Sequence, residues 1–138
     1  MPRVISGSAG GRRLRTPGGR ATRPTSDRVK EGWFSALTAR TDIADLQVLD
    51  LFAGSGQLAI EALSRGAAHA LLVERGASAR AVIRDNLAVC GLAERAEVRG
   101  GQAAAVVRAC VESDRQFDLI FIDPPYSDLA AAIDQLME

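Results

Sequence analysis

Two hydrophobic rhythms alternate along most of the chain. Gln47–Phe52 is a short apolar run of the kind that forms a buried strand. Gln57–Ser64 carries Leu58, Ile60, Ala62 and Leu63 in a helical stretch closed by Gly66. His69–Glu74 reads as a second strand. Ser78–Cys90 then places Ala79, Ile83, Leu87 and Cys90 at helical spacing and stops at Gly91. A third strand at Ala96–Arg99, an Ala/Val helix at Gln102–Val111 and a fourth strand at Phe117–Ile122 follow, and Leu129–Met137 begins another helix. Such strand–helix repeats predict an α/β fold, a parallel sheet with right-handed crossovers and helices on both faces. Sheets of this kind bind ligands beyond the carboxyl ends of their strands, where the strand order reverses. The residues to inspect are those just after the strands.

The first 40 residues follow a different pattern. Residues 1–25 are basic and Gly-rich, with Val4-Ile5 and Leu14 flanking a glycine turn, which suggests a small hairpin. Pro24-Thr25-Ser26 is a helix start signal. From Asp27 to about Ala39, apolar residues recur at Val29, Trp33, Phe34, Ala36 and Leu37, with Arg28, Lys30 and Glu31 between them. The pattern predicts a helix docked on the main core through the chain's only Trp. The division is then a basic N-terminal extension at 1–40 and an α/β domain at 41–138.

Composition changes the picture in one respect. With 138 residues, 47% hydrophobic, 25% charged and 4% aromatic, the chain suits one soluble domain and neither a disordered nor a fibrous protein. The formal net charge of zero hides an asymmetry. Residues 1–40 hold nine basic against two acidic groups, and residues 41–138 hold eight against fifteen. A basic segment of this density fits contact with RNA phosphates, through Arg12, Arg13, Arg15, Arg23, Arg28 and Lys30. Cys90 and Cys110 lie 20 apart and His69 is the only histidine, so no zinc ligand set is present and no metal is expected. The two cysteines read as apolar fillers on helices in a reducing cytoplasm. No run reaches the length of a membrane span, and no apolar core follows the N-terminal arginines as it would in a secretory signal.

Chemistry concentrates after the first, second and fourth strands. Asp50-Leu51-Phe52-Ala53-Gly54-Ser55-Gly56 is a glycine-bearing turn that leads into a helix. An acidic residue in such a turn repels a pyrophosphate and suits a cationic or hydroxyl-bearing ligand. Glu74, 18 residues after Gly56, can accept hydrogen bonds from both hydroxyls of a ribose. An acid-lined site with a ribose clamp fits S-adenosylmethionine, which carries a positive amino group and a sulfonium. Asp123-Pro124-Pro125-Tyr126 offers a carboxylate, a rigid backbone, a free carbonyl and an aromatic face. The Asp123 carboxylate and Pro124 carbonyl can take the two hydrogens of an exocyclic amine and aim its lone pair, while Tyr126 stacks on the base.

The loop at Asp50–Gly56 followed by Asp123–Tyr126 resembles the S-adenosylmethionine-dependent amino-methyltransferases of Rossmann-like fold. The segments Arg3–Gly7, Gly11–Leu14, Thr22–Glu31 with Phe34, and Glu61–Ala67 narrow the resemblance to the bacterial 16S rRNA guanine-N2 methyltransferases of the RsmD type. It implies that Asp123, Pro124, Pro125 and Tyr126 hold and activate a guanine. It also implies that S-adenosylmethionine lies against Asp50, Phe52, Ala53, Gly54, Ser55, Gly56 and Glu74, and that 16S rRNA or a small-subunit particle is the partner. A monomer is the expectation. After the third strand Gly101 offers no side chain, so the adenine of the cofactor is expected to meet backbone there or Gln102. The family sheet has seven strands and this chain offers four, which suggests a truncated product with an open edge beside the fourth strand. Two other readings fit the same residues. One is adenine-N6 methylation of DNA or RNA, and the other is a non-catalytic RNA-binding module.

Overall fold

A computed structural model describes residues 2–17 and 26–124. The expected helix at Leu129–Met137 lies outside them, as do Arg23, Pro125 and Tyr126. Among the described residues the strands are β1 (Gln47–Asp50), β2 (His69–Val73), β3 (Ala96–Arg99) and β4 (Leu119–Phe121). They form one parallel sheet in the order β3-β2-β1-β4. The helices are α1 (Asp27–Thr38), α2 (Gln57–Ser64), α3 (Ala77–Val89) and α4 (Ala103–Glu112). The expected α/β architecture is present, with element ends displaced by one or two residues. Strand ends move most: the runs read as 47–52 and 117–122 pair only over Gln47–Asp50 and Leu119–Phe121.

The central strands β1 and β2 are buried on both faces, while Ile120 of β4 is half-exposed, and the two-residue period of the strands sorts the side chains. Val48, Ala70 and Leu72 join one cluster with Leu58, Ile60 and Leu63 of α2 and Ile83 and Leu87 of α3. Leu49, Leu71 and Val73 join a second cluster with Ala103, Val106 and Cys110 of α4. Both cysteines are free. Cys110 is buried in the second cluster and Cys90 packs on the first, as fillers on opposite faces.

Helix α2 is buried along its whole length, which a one-sided amphipathic reading misses. The sheet covers one side of it and the N-terminal segment the other. That segment is a minimal hairpin with a single antiparallel bridge between Arg3 and Arg13. Val4, Ala9 and Leu14 reach the same core cluster as α2. Gly7 makes the close approach possible: at φ +87°, an added Cβ there would lie 1.9 Å from the Ser64 carbonyl oxygen.

Helix α1 docks on the core through only part of the expected face: Phe34 and Leu37 pack on it, whereas Val29, Trp33 and Ala36 stay exposed. Ser26 caps it by accepting from Val29 N, and Phe34 is its apolar anchor, 5.8 Å from Phe121 between ring centroids. Trp33 is 45% exposed and Val29 nearly as much. Lys30, expected on the polar side and assigned to RNA, is fully buried instead. Its Nζ donates to the Arg3 carbonyl and sits 3.8 Å from Glu61 Oε1. A phosphate cannot reach it, so Lys30 leaves the RNA-facing set. No helix among the described residues is long and apolar enough to cross a membrane.

Candidate functional site

The strand order reverses between β1 and β4, because the chain runs outward through β2 and β3 and returns on the other side of β1. The crevice therefore opens at the carboxyl ends of β1, β2 and β4. Asp50, Glu74 and Asp123 all stand there. The negative charges of Asp123 and Glu74 are both felt at Asp50.

Asp50 is the unusual group. It follows Val48 on the α2 face of the sheet and is 1% exposed. Neither carboxylate oxygen has a hydrogen-bond partner among the described residues. Burial pushes its pKa up to about 7, and the charges of Asp123 and Glu74 add to the rise. The backbone N–H groups of Ala59 and Phe52 draw it partly back, without forming bonds of ordinary geometry. A buried carboxylate without partners is costly and calls for a role.

The turn after β1 is tightly held around it. Leu51 N donates to the Phe121 carbonyl, Ala53 N to that of Val73, and Gly56 N to that of Ala53. Gly56 caps α2 at φ +86°, where an added Cβ would press on Ile60 and Leu72 at 3.2 Å. Gly54, at φ +59°, has open space where its Cβ would be, which leaves backbone exposed on the crevice side. Ser55 is buried, and Phe52 is half-buried against the second cluster.

Glu74 braces two turns. Its Oε1 accepts from Gly54 N at 3.1 Å and its Oε2 from Gly76 N at 2.8 Å. Each oxygen keeps a second lone pair, so the ribose-clamp expectation and the bracing are compatible. Gly101, at φ +106°, and Gln102 both lie exposed at the start of α4. Asp123 is solvent-exposed, yet partial burial raises its pKa above the ordinary carboxylate value. Pro124 is half-buried beside it.

Two supporting residues were missed from the sequence. Arg80 of α3 donates through Nη1 to the carbonyls of Glu74 and Arg75, holding the end of β2 beside Gly100. Asn86, also on α3, is buried and bonds both Arg15 and Ser55. Its position was legible: it sits on the same helical face as Ile83, Leu87 and Cys90. Among the arginines assigned to RNA, Arg12, Arg13 and Arg28 are exposed. Arg15 is exposed as well and pairs with Asp85 at 2.9 Å.

Known proteins resemble this chain along most of its length. A family model described as "Conserved hypothetical protein 95" matches residues 2–138. The Bacillus subtilis protein named "Putative rRNA methyltransferase YlbH" is 43% identical over 126 residues, which is 91% of this chain and 67% of that one. The Escherichia coli protein named "Ribosomal RNA small subunit methyltransferase D" is 39% identical over 124 residues, covering 90% of this chain and 60% of its own length. A solved Escherichia coli structure titled "Putative methyltransferase yhhF" is 38% identical and superposes with a TM-score of 0.75, over 98% of this chain and 72% of that one. This chain thus spans 67% and 60% of the length of these two curated relatives. On its sequence, its sheet order and the match along residues 2–138, it belongs to the RsmD family of S-adenosylmethionine-dependent methyltransferases.

Proposed function

We propose that this chain carries the catalytic machinery for moving a methyl group from S-adenosylmethionine to the exocyclic N2 amine of a guanine in 16S rRNA. The observation that carries the reading is the convergence of a buried, unpartnered Asp50 with Glu74 and Asp123 at the strand-order reversal. Those acids and the open backbone at Gly54 fit a cofactor with a cationic amino group, a sulfonium and a ribose. Asp50 would face the positive charge, Glu74 the ribose hydroxyls, and Gly101 or Gln102 the adenine.

When bound, S-adenosylmethionine supplies an electrophilic methyl on sulfur. The Asp123 carboxylate and the Pro124 carbonyl accept hydrogen bonds from the two N–H groups of the target amine and turn its lone pair toward that methyl. Transfer to N2 would break the sulfur–methyl bond and leave S-adenosylhomocysteine as the thioether product, and Asp123, with its raised pKa, would be placed to receive the proton that the methylated amine gives up. Pro125 stiffens the backbone, and Tyr126 stacks on the base. The exposed arginines of residues 1–40 hold RNA phosphates, and residues 41–138 form the catalytic part. The names of the two curated relatives support an rRNA substrate over DNA.

The test is labelled methyl transfer to unmodified small-subunit particles and to naked rRNA, followed by mass analysis of nucleosides. N2-methylguanosine is the expected product. N6-methyladenosine would establish the adenine reading, and RNA binding without any transfer the non-catalytic one. Asp123→Ala should abolish transfer while leaving cofactor binding within about twofold of wild type. A folded Asp123→Ala protein that no longer binds cofactor would contradict the role given to Asp123.

A further inference from the structure

Asn86 joins the two parts of the molecule that the proposed function assigns to different ligands. Its Oδ1 accepts from Arg15 N at 2.8 Å, and its Nδ2 donates to the Arg15 carbonyl at 3.0 Å. The same Nδ2 also donates to the Ser55 carbonyl at 2.9 Å. One buried amide therefore grips the backbone of the N-terminal segment on both sides and the cofactor turn on the third. The Arg15 side chain adds a second hold on α3 through Asp85. Ser55 lies between Gly54 and Gly56, both at positive φ, in the turn that follows the unpartnered Asp50.

We propose that Asn86 is a positioning residue that couples the two sites, so that cofactor in the Asp50–Gly56 turn and RNA on the N-terminal arginines strengthen each other's binding. The inference rests on the proposed function for the identity of the two ligands. Its physical basis is shared ordering. A ligand that fixes the turn fixes the Ser55 carbonyl, which fixes the Asn86 amide, which fixes the backbone at Arg15. The second ligand then meets a segment whose freedom has already been lost. Coupling of this kind is reciprocal, and a factor of five or more in affinity is its ordinary scale.

The experiment measures the affinity of an unmodified small-subunit rRNA transcript, at one fixed salt concentration, with and without saturating S-adenosylhomocysteine. Wild type should bind the transcript about fivefold more tightly with the cofactor product present. Asn86→Asp keeps the acceptor toward Arg15 N but sets a carboxylate oxygen against two carbonyls, and its ratio should fall to about one. The ratio is independent of lost stability as long as the variant is fully folded in both arms, which a denaturation curve at the assay temperature establishes. Amide exchange at Arg15 in the wild-type protein supplies a second readout should the variant fail to fold, and it should slow when S-adenosylhomocysteine is added. Both ligands binding without coupling, coupling that survives Asn86→Asp, or Arg15 exchange that ignores the cofactor product would each overturn the inference and leave the proposed function standing. Failure of wild type to bind either ligand alone would overturn both.

Discussion

Asp50 and Glu61 are both fully buried carboxylates, eleven residues apart, and their surroundings are opposite. Glu61 accepts from Ile5 N at 2.8 Å, Ser6 N at 3.1 Å and Arg65 Nε at 2.9 Å, and it lies 3.8 Å from the buried Lys30 ammonium. Asp50 accepts from no partner among the described residues. The first carboxylate is a fastener. It gathers the N-terminal segment, α1 and α2 around one charge, and Arg65 continues outward over the Phe34 ring at 4.8 Å. The second is an unfilled demand at the mouth of the crevice. A buried charge whose hydrogen bonds are complete belongs to the fold, and one left incomplete points to a ligand.

The largest way to break this comparison is Glu61→Ala. It strands the Lys30 ammonium, whose pKa burial already lowers against the pull of Glu61 and Asp27, and it frees two backbone N–H groups. A loss of about 3–5 kcal/mol is expected, read from the denaturant midpoint. Asp50→Asn should do the reverse. A carboxylate whose folded pKa stands near 7 against an ordinary 3.8 binds its proton more tightly in the folded state. Wild-type stability therefore falls between about pH 4 and pH 7, by at most about 4 kcal/mol from this group. The asparagine variant lacks that component, so its advantage over wild type should grow with pH across this window and level off above it. Paired denaturation curves at three pH values would show this. A constant difference would mean that Asp50 does not titrate there.

Glycines sharpen the same contrast at smaller scale. Gly7→Ala should cost about 2 kcal/mol or more, since its Cβ would collide with the Ser64 carbonyl and undo the docking onto α2. Gly54→Ala should cost about 1 kcal/mol, from the left-handed backbone alone, because its Cβ would meet open space. Its larger effect should be on cofactor affinity, as the methyl group would intrude on the crevice side. Thermal melts together with cofactor titration separate the two outcomes.

The sequence revealed the periodic elements and hid the polar ones. Strand and helix order was legible because both faces of the sheet are apolar and the glycines mark the turns. The acids of the candidate crevice were legible because each stands at or within two residues of the carboxyl end of a strand. The burial of Lys30, Glu61 and Ser64 was not, because each reads as solvent-facing when its helix is considered alone. Ser64 Oγ in fact accepts from Ala9 N and donates to the Ser6 carbonyl. What covers α2 is a segment more than 50 residues earlier, and no local period carries that information. Trp33 failed for the same reason. Composition nominated it as the anchor, but the Lys30–Glu61 pair and Phe34 set which face of α1 turns inward.

The contrast between the two carboxylates is tested most directly by calorimetric titration of S-adenosylmethionine into wild type and Asp50→Asn at about pH 6 and pH 7.5. A cationic ligand favours ionised Asp50, so wild-type affinity should rise several-fold across that interval with release of a proton. Asp50→Asn should bind at least about tenfold more weakly at the higher pH and lack that part of the pH dependence. Equal affinity in the two proteins, or an identical pH response, would contradict the claim that Asp50 is left unpartnered to receive the cofactor.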